Sequence, residues 1–158
     1  MTNKISAGLL MYRRRDSGLE VFLAHPGGPY FKNKDWGSWG IPKGELETAE
    51  AMLDAAIREF QEETGLAAAG PYLPLGSVVL TSGKTVYAWA FVGDCDDSKP
   101  PASNNFSLEW PPRSGRRQLF PEIDQAVFFS LAEARRKITP AQAPFIDRLA
   151  KHLGIGGR

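Results

Sequence analysis

The sequence predicts a single α/β domain with helices on both sides of a sheet, and three observations carry that expectation. Apolar runs rich in strand formers (residues 5–12, 19–24, 72–80, 85–92 and 126–129) alternate with segments of helical period (48–64, 131–138 and 140–153). Strands and helices in such mixed order suit an α/β layer architecture. A length of 158 residues is that of one ordinary domain, long enough for a sizeable core and short for two. The hydrophobic fraction of 42% and charged fraction of 23% are those of a soluble globular chain.

Taken in order, residues 5–12 and 19–24 flank Arg13-Arg14-Arg15 and an Asp16-Ser17-Gly18 turn, which reads as a hairpin or meander. Residues 26–43 (PGGPYFKNKDWGSWGIPK) are dense in Gly, Pro and aromatic residues, so they form a loop, and beside a functional helix such a loop makes a binding wall. Thr48 is expected to cap a helix whose first turn holds Ala49 and Glu50, with Gly65 as terminator after Thr64. At about 100° per residue, Met52, Leu53, Ala56, Ile57 and Phe60 share one face of that helix and Glu59, Glu62 and Glu63 its adjacent edge. Glu63 falls closest to the apolar stripe, so it is the carboxylate expected to be partly buried and in need of a cationic partner.

Residues 72–80 and 85–92, with Ser82-Gly83 between them, read as a second strand pair, and 126–129 as another short strand. The Pro-, Ser- and Asn-rich residues 94–117 read as a long surface loop, either mobile or a lid. Residues 131–138 and 140–153 read as C-terminal helices, the second with Phe145, Leu149 and Leu153 at helical spacing.

Bulk properties exclude several functions. A net charge of +1 gives no global attraction to nucleic acid or membrane, so any anion binding is local. Cys95 is the single cysteine, which rules out an internal disulfide, and no Cys/His cluster has zinc spacing. The first apolar run is too short to span a bilayer, and it precedes its arginines, the reverse of a signal peptide. The default expectation is therefore cytoplasmic. No G-x-x-x-x-G-K-[ST] motif is present, against a P-loop NTPase.

The most informative stretch is 44–66, GELETAEAMLDAAIREFQEETGL. Glu59, Glu62 and Glu63 stand at i, i+3 and i+4, where like charges on a helix repel. A hard divalent cation such as Mg²⁺, which takes oxygen ligands and bridges carboxylates to phosphates, would offset that repulsion. The full spacing is Gly44, five residues, Glu50, seven residues, Arg58-Glu59, apolar Phe60, one residue, Glu62-Glu63, one residue, Gly65 and apolar Leu66.

That spacing resembles the Nudix box, with Phe60 where the family more often has a smaller aliphatic residue. The resemblance implies an α/β/α sandwich with a mixed sheet, the box forming a loop-helix-loop at its centre. It implies a pyrophosphohydrolase using Mg²⁺ or Mn²⁺, held by Glu59 and Glu63 first, then Glu62, with a backbone carbonyl around Lys43 or Gly44 as a further ligand. Arg58 would orient Glu59, and Glu50 would be structural. For the general base the family offers two positions, matched here by Glu59 within the box and by Glu122 downstream.

Residues 36–44 (WGSWGIPKG) also resemble the opening of the box in the branch acting on diadenosine polyphosphates and related nucleoside polyphosphates, and Lys84-Thr85-Val86 looks like that branch too. On this reading Lys43 and Lys84 meet phosphate, Gly44 lies in the substrate loop, and Trp36 or Trp39 flanks a base while the other packs under the sheet. Trp110 and Arg113 to Arg117 form a third cationic and aromatic candidate. Two readings follow: a hydrolase of a nucleoside diphosphate linked to another moiety, with an NTP or dinucleoside polyphosphate favoured, or a non-catalytic Nudix-fold module that binds nucleotide and regulates a partner. The intact acids favour the hydrolase. Oligomeric state has no signature in the sequence.

Overall fold

The computed structural model describes residues 4–155. Its elements in chain order are β1 (Ile5–Arg15), β2 (Gly18–Pro26), β3 (Lys43–Glu45), α1 (Met52–Thr64), β4 (Leu73–Val79), β5 (Thr85–Val92), β6 (Asn105–Glu109), β7 (Arg117–Pro121), β8 (Ile123–Ser130), α2 (Leu131–Lys137), a 3₁₀ turn (Pro140–Gln142) and α3 (Ala143–His152). The main sheet runs β4-β5-β1-β2-β8, with β3 also paired to β1. β1 and β5 are parallel and the other pairs antiparallel, so the sheet is mixed.

Strand alternation splits the core in two. Ala7, Leu9 and Met11 of β1 pack with Phe22, Phe91 and Phe128 beneath Ala55, Ala56 and Phe60 of α1. Leu10, Val21 and Leu23 face the other way, onto Trp39, Ala134, Phe145, Ile146 and Leu149 beside α2 and α3. Helices on both faces give the α/β/α sandwich, because successive side chains of a doubly covered strand must both be apolar.

Three expectations needed correction. The helix of the box begins at Met52 after Ala51, with no side-chain cap, rather than at Thr48. The Glu47 N–H instead donates to Glu50 Oε1 at 3.0 Å, and Ala49 has φ of 62°, a turn that delivers the Glu50 carboxylate to Arg58 on the helix. Its C-terminus is as expected, with Gly65 at φ 76° and its N–H donating to the Gln61 carbonyl.

Residues 94–117 are not all loop: β6 pairs with β7 from Asn105 opposite Pro121 to Glu109 opposite Arg117. This hairpin is short and largely exposed, with one aromatic pair, Phe106 and Phe120 at 6.0 Å, and with Leu119 on its surface. The last expected helix divides at Gln142, whose buried side chain turns inward and accepts from the Ile41 N–H at 2.9 Å.

Candidate active site

The buried stripe of α1 holds the helix on the sheet, and the next stripe carries Arg58, Glu59, Glu62 and Glu63. Arg58 lies within the acids. Its Nε and Nη2 each donate to Glu50 at 2.9 Å, and its Nη1 donates to Glu59 at 3.1 Å and Glu62 at 3.0 Å. One planar fork with five donors can do this where a lysine cannot. The arginine thereby offsets the repulsion that the helical spacing creates. Hydrogen bonding to Arg58 holds the Glu50 carboxyl down at about 2, and the same pairing raises the guanidinium above its ordinary value.

Glu63 is the buried member. Desolvation pushes its carboxyl up to about 8, against the Lys43 backbone N–H, which donates to Oε1 at 3.2 Å. Glu59 is also raised, by burial first, with Arg58 opposing. The consequence of the Glu63 shift has a definite sign. Below the ordinary carboxylate value of 4.5 both folded and unfolded chains hold this proton, and the contribution of Glu63 to stability is fully present; as pH rises toward about 8 that contribution is lost. In chelator, unfolding free energy is expected to fall with pH across this window, and Glu63→Gln to flatten the slope. Urea melts at stepped pH measure it.

Two backbone features position the acids. Gly44 pairs with Ala7 across β3 and β1, and a Cβ there would overlap the Glu59 carboxylate. Gly44→Ala should therefore displace Glu59 with little effect on folding. A displacement of about 1 Å corresponds to roughly a hundredfold loss of kcat. Near-wild-type turnover of that variant would show that Glu59 can move without consequence. Glu122 enters from the link between β7 and β8. Its N–H donates to the Asn104 carbonyl at 2.8 Å, and its carbonyl accepts from the Gly27 N–H at 2.9 Å.

These residues surround one cavity of about 460 Å³, which brings together Glu59, Glu62, Glu63, Glu122, Lys43, Gly44 and Lys84. Asn104 and Ser6 line it too and were not singled out from the sequence. Lys84 Nζ lies 3.0 Å from Glu45 Oε2. Burial lowers the Lys43 ammonium, and the neighbouring Lys84 lowers it further.

The tryptophans lie elsewhere. Trp36 is 60% exposed, with Lys137 Nζ 4.6 Å over its ring. Trp39 is 4% exposed; its Nε1 donates to Asp35 at 2.8 Å and its ring meets His25 and Phe129 edge-on. A base-stacking role for Trp39 does not fit a ring packed on both sides, although it borders an adjoining cavity of about 250 Å³ that shares Lys43 and Glu63. Trp110 packs edge-on to Tyr30 at 5.3 Å, beside the exposed arginines of the β6–β7 turn. His25, assigned no chemistry from the sequence, is a buried clamp. Its ring nitrogens reach Asp124 at 2.7 Å and the Lys34 carbonyl at 2.6 Å, tying β8 to the 26–43 loop.

Three carboxylates beside a backbone strand form a hard-oxygen donor set, which fits Mg²⁺ or Mn²⁺. Among the described residues no three acidic, His or Cys groups already converge as ligands. Arg58 holds Glu59 and Glu62, and the Lys43 N–H holds Glu63. Among the described residues, too, no helix is long and apolar enough to cross a membrane.

A family model described as the NUDIX domain matches residues 2–149. Solved structures with the same fold include a Caenorhabditis elegans Ap4A hydrolase in a binary complex, 20% identical, TM-score 0.64, covering 94% of this chain and 98% of that one. Another is the NUDIX domain of Shewanella oneidensis NrtR complexed with ADP ribose, 13% identical, TM-score 0.67, covering 97% and 90%. A mutT/nudix family protein from Listeria innocua is 16% identical at TM-score 0.64, covering 98% and 96%. No curated protein matched.

Proposed function

Because this chain belongs to the Nudix family, whose members hydrolyse phosphorus-containing anhydrides, we propose that it cleaves the pyrophosphate bond of a nucleoside diphosphate linked to another moiety. An NTP or a dinucleoside polyphosphate is the favoured substrate and Mg²⁺, or Mn²⁺, the cofactor. The observation that carries this reading is the single cavity in which Glu59, Glu62, Glu63 and Glu122 meet Lys43 and Lys84. Acids alone would repel a polyphosphate; acids that hold a cation, beside two lysines, accept one.

In this reading Glu59, Glu62 and Glu63 hold the cation together with the Lys43 backbone carbonyl. When bound, a divalent cation neutralises phosphoryl oxygens and generates a nucleophile from water at neutral pH. Lys43 and Lys84 bind the non-reacting phosphates. Arg58 keeps Glu59 oriented through its hydrogen bond, and Gly44 leaves the room that Glu59 occupies. Glu122 takes the proton from the attacking water, because it reaches the cavity from β8's approach and is not drawn into the carboxylate set of α1. Glu59 is the competing base.

A panel of NTPs, diadenosine tetraphosphate and ADP-ribose with Mg²⁺, products identified by mass, tests the reading. Turnover in H₂¹⁸O then shows which phosphorus is attacked. Glu122→Gln is expected to lose about 10²–10⁴-fold in kcat. Tight nucleotide binding without turnover on any substrate would favour the regulatory-module alternative.

A further inference from the structure

Ser6 stands out as a polar side chain with no partner. It is fully buried on β1, its Oγ has no hydrogen-bond partner, and it lines the catalytic cavity. Buried hydroxyls are nearly always bonded, so an orphan calls for an explanation.

Register shows which surface it belongs to. Ser6 lies opposite Glu45, Ala7 opposite Gly44 and Gly8 opposite Lys43. Paired residues on adjacent strands share a face. Gly44 faces Glu59 of α1, so Ser6, Lys43 and Glu45 lie together on the other side of β3. Lys84, just before β5, joins them through its ion pair with Glu45. On its second edge Ser6 pairs with Val86 of the same strand.

This cluster holds two lysines, the Glu45 carboxylate paired with Lys84, and one idle hydroxyl. A bound water would satisfy the hydroxyl alone, whereas a phosphate oxygen would meet the hydroxyl and the two lysines together.

We infer that the Ser6 hydroxyl is a substrate contact, donating a hydrogen bond to a non-reacting phosphate oxygen held by Lys43 and Lys84 on the face of β3 turned away from α1. The inference rests on the polyphosphate reading above. It adds a third donor, neutral and rigidly held by the sheet, where the two lysine stems supply charge without fixed direction. Ser6 thereby sets the register of the phosphate chain in the cavity.

The test uses inorganic pyrophosphate as probe, titrated calorimetrically into the full chain at saturating Mg²⁺, with melting curves of the ligand-free protein. Ser6→Ala is expected to weaken binding about five- to tenfold while leaving the melting temperature unchanged or raised, because it removes an unsatisfied buried group. Ser6→Cys, similar in volume but a weak donor, should lose the same affinity and so excludes a packing effect. Unchanged affinity in Ser6→Ala, or a lowered melting temperature that reveals a protein partner for the hydroxyl, overturns the inference. Lys84→Met separates the two levels. If it weakens binding and Ser6→Ala does not, Ser6 alone is misassigned. If the wild type does not bind pyrophosphate, the phosphate subsite fails and the Ser6 contact with it.

Discussion

Replacing Glu63 with Gln is expected to raise the melting temperature in chelator and to lower kcat by about a thousandfold in saturating Mg²⁺. The two effects share one cause. Burial raises the Glu63 carboxyl to about 8, so at neutral pH the native state either keeps a proton or bears an ill-solvated charge. A neutral amide of the same shape escapes that penalty. The same burial makes the ionised carboxylate a strong cation ligand, which an amide is not. Glu59→Gln should lose comparable activity with a smaller gain in stability, since Arg58 already compensates Glu59 at 3.1 Å. Arg58→Lys should fall between wild type and these variants, because an ammonium cannot serve Glu50, Glu59 and Glu62 at once. Thermal melts with and without Mg²⁺, paired with turnover on the substrate found in the panel, measure all of this. A Glu63→Gln protein that is both less stable in chelator and fully active would falsify the assignment.

Phe60→Ala is expected to destabilise the fold by about 3–5 kcal/mol, lowering the melting temperature by about 10 °C or more. Phe60 is fully buried between α1 and the sheet, edge-on to Phe91 at 5.2 Å and 6.4 Å from Phe22. No neighbouring side chain can refill a ring-sized void at the centre of a close-packed layer. Because Phe60 follows Glu59 directly, the helix that loses this anchor also loses the fixed position of its acids. Activity should drop below the folded fraction. Phe60→Leu, which restores most of the volume, should recover most of both. Urea denaturation read against turnover at matched temperature checks the prediction, and a loss below about 1 kcal/mol would mean that the site collapses far better than its packing indicates.

The box was legible because its chemistry is local. A helix edge carrying three acids, a terminal glycine and an apolar stripe can be read from i, i+3 and i+4 spacing, and α1, β1, β2, β4, β5 and β8 fall where hydrophobic period placed them. The β6–β7 hairpin was not legible. Its strands are short and largely exposed and their pairing is anchored from outside, by Glu122 onto Asn104 and Ile123 onto Ser103. The start of α1 was misread for a related reason: Thr48 has the chemistry of a cap, but Glu50 is drawn to an arginine eight residues on.

By itself the sequence determined the fold class, the family and the group of charged residues on α1, because periodicity and charge spacing act over one or two helical turns. Only the tertiary structure decided what faces those residues. Glu122 arrives from the far end of the chain, Lys84 from the approach to β5 and Ser6 from the first strand, and the register of β1 with β3 places Ser6 and Lys43 on one side and Gly44 on the other. Trp36 and Trp39, alike in sequence, part company on packing alone, one on the surface and one in the core. A cavity is made by strand pairings between residues remote in sequence, and local pattern does not encode which of them will meet.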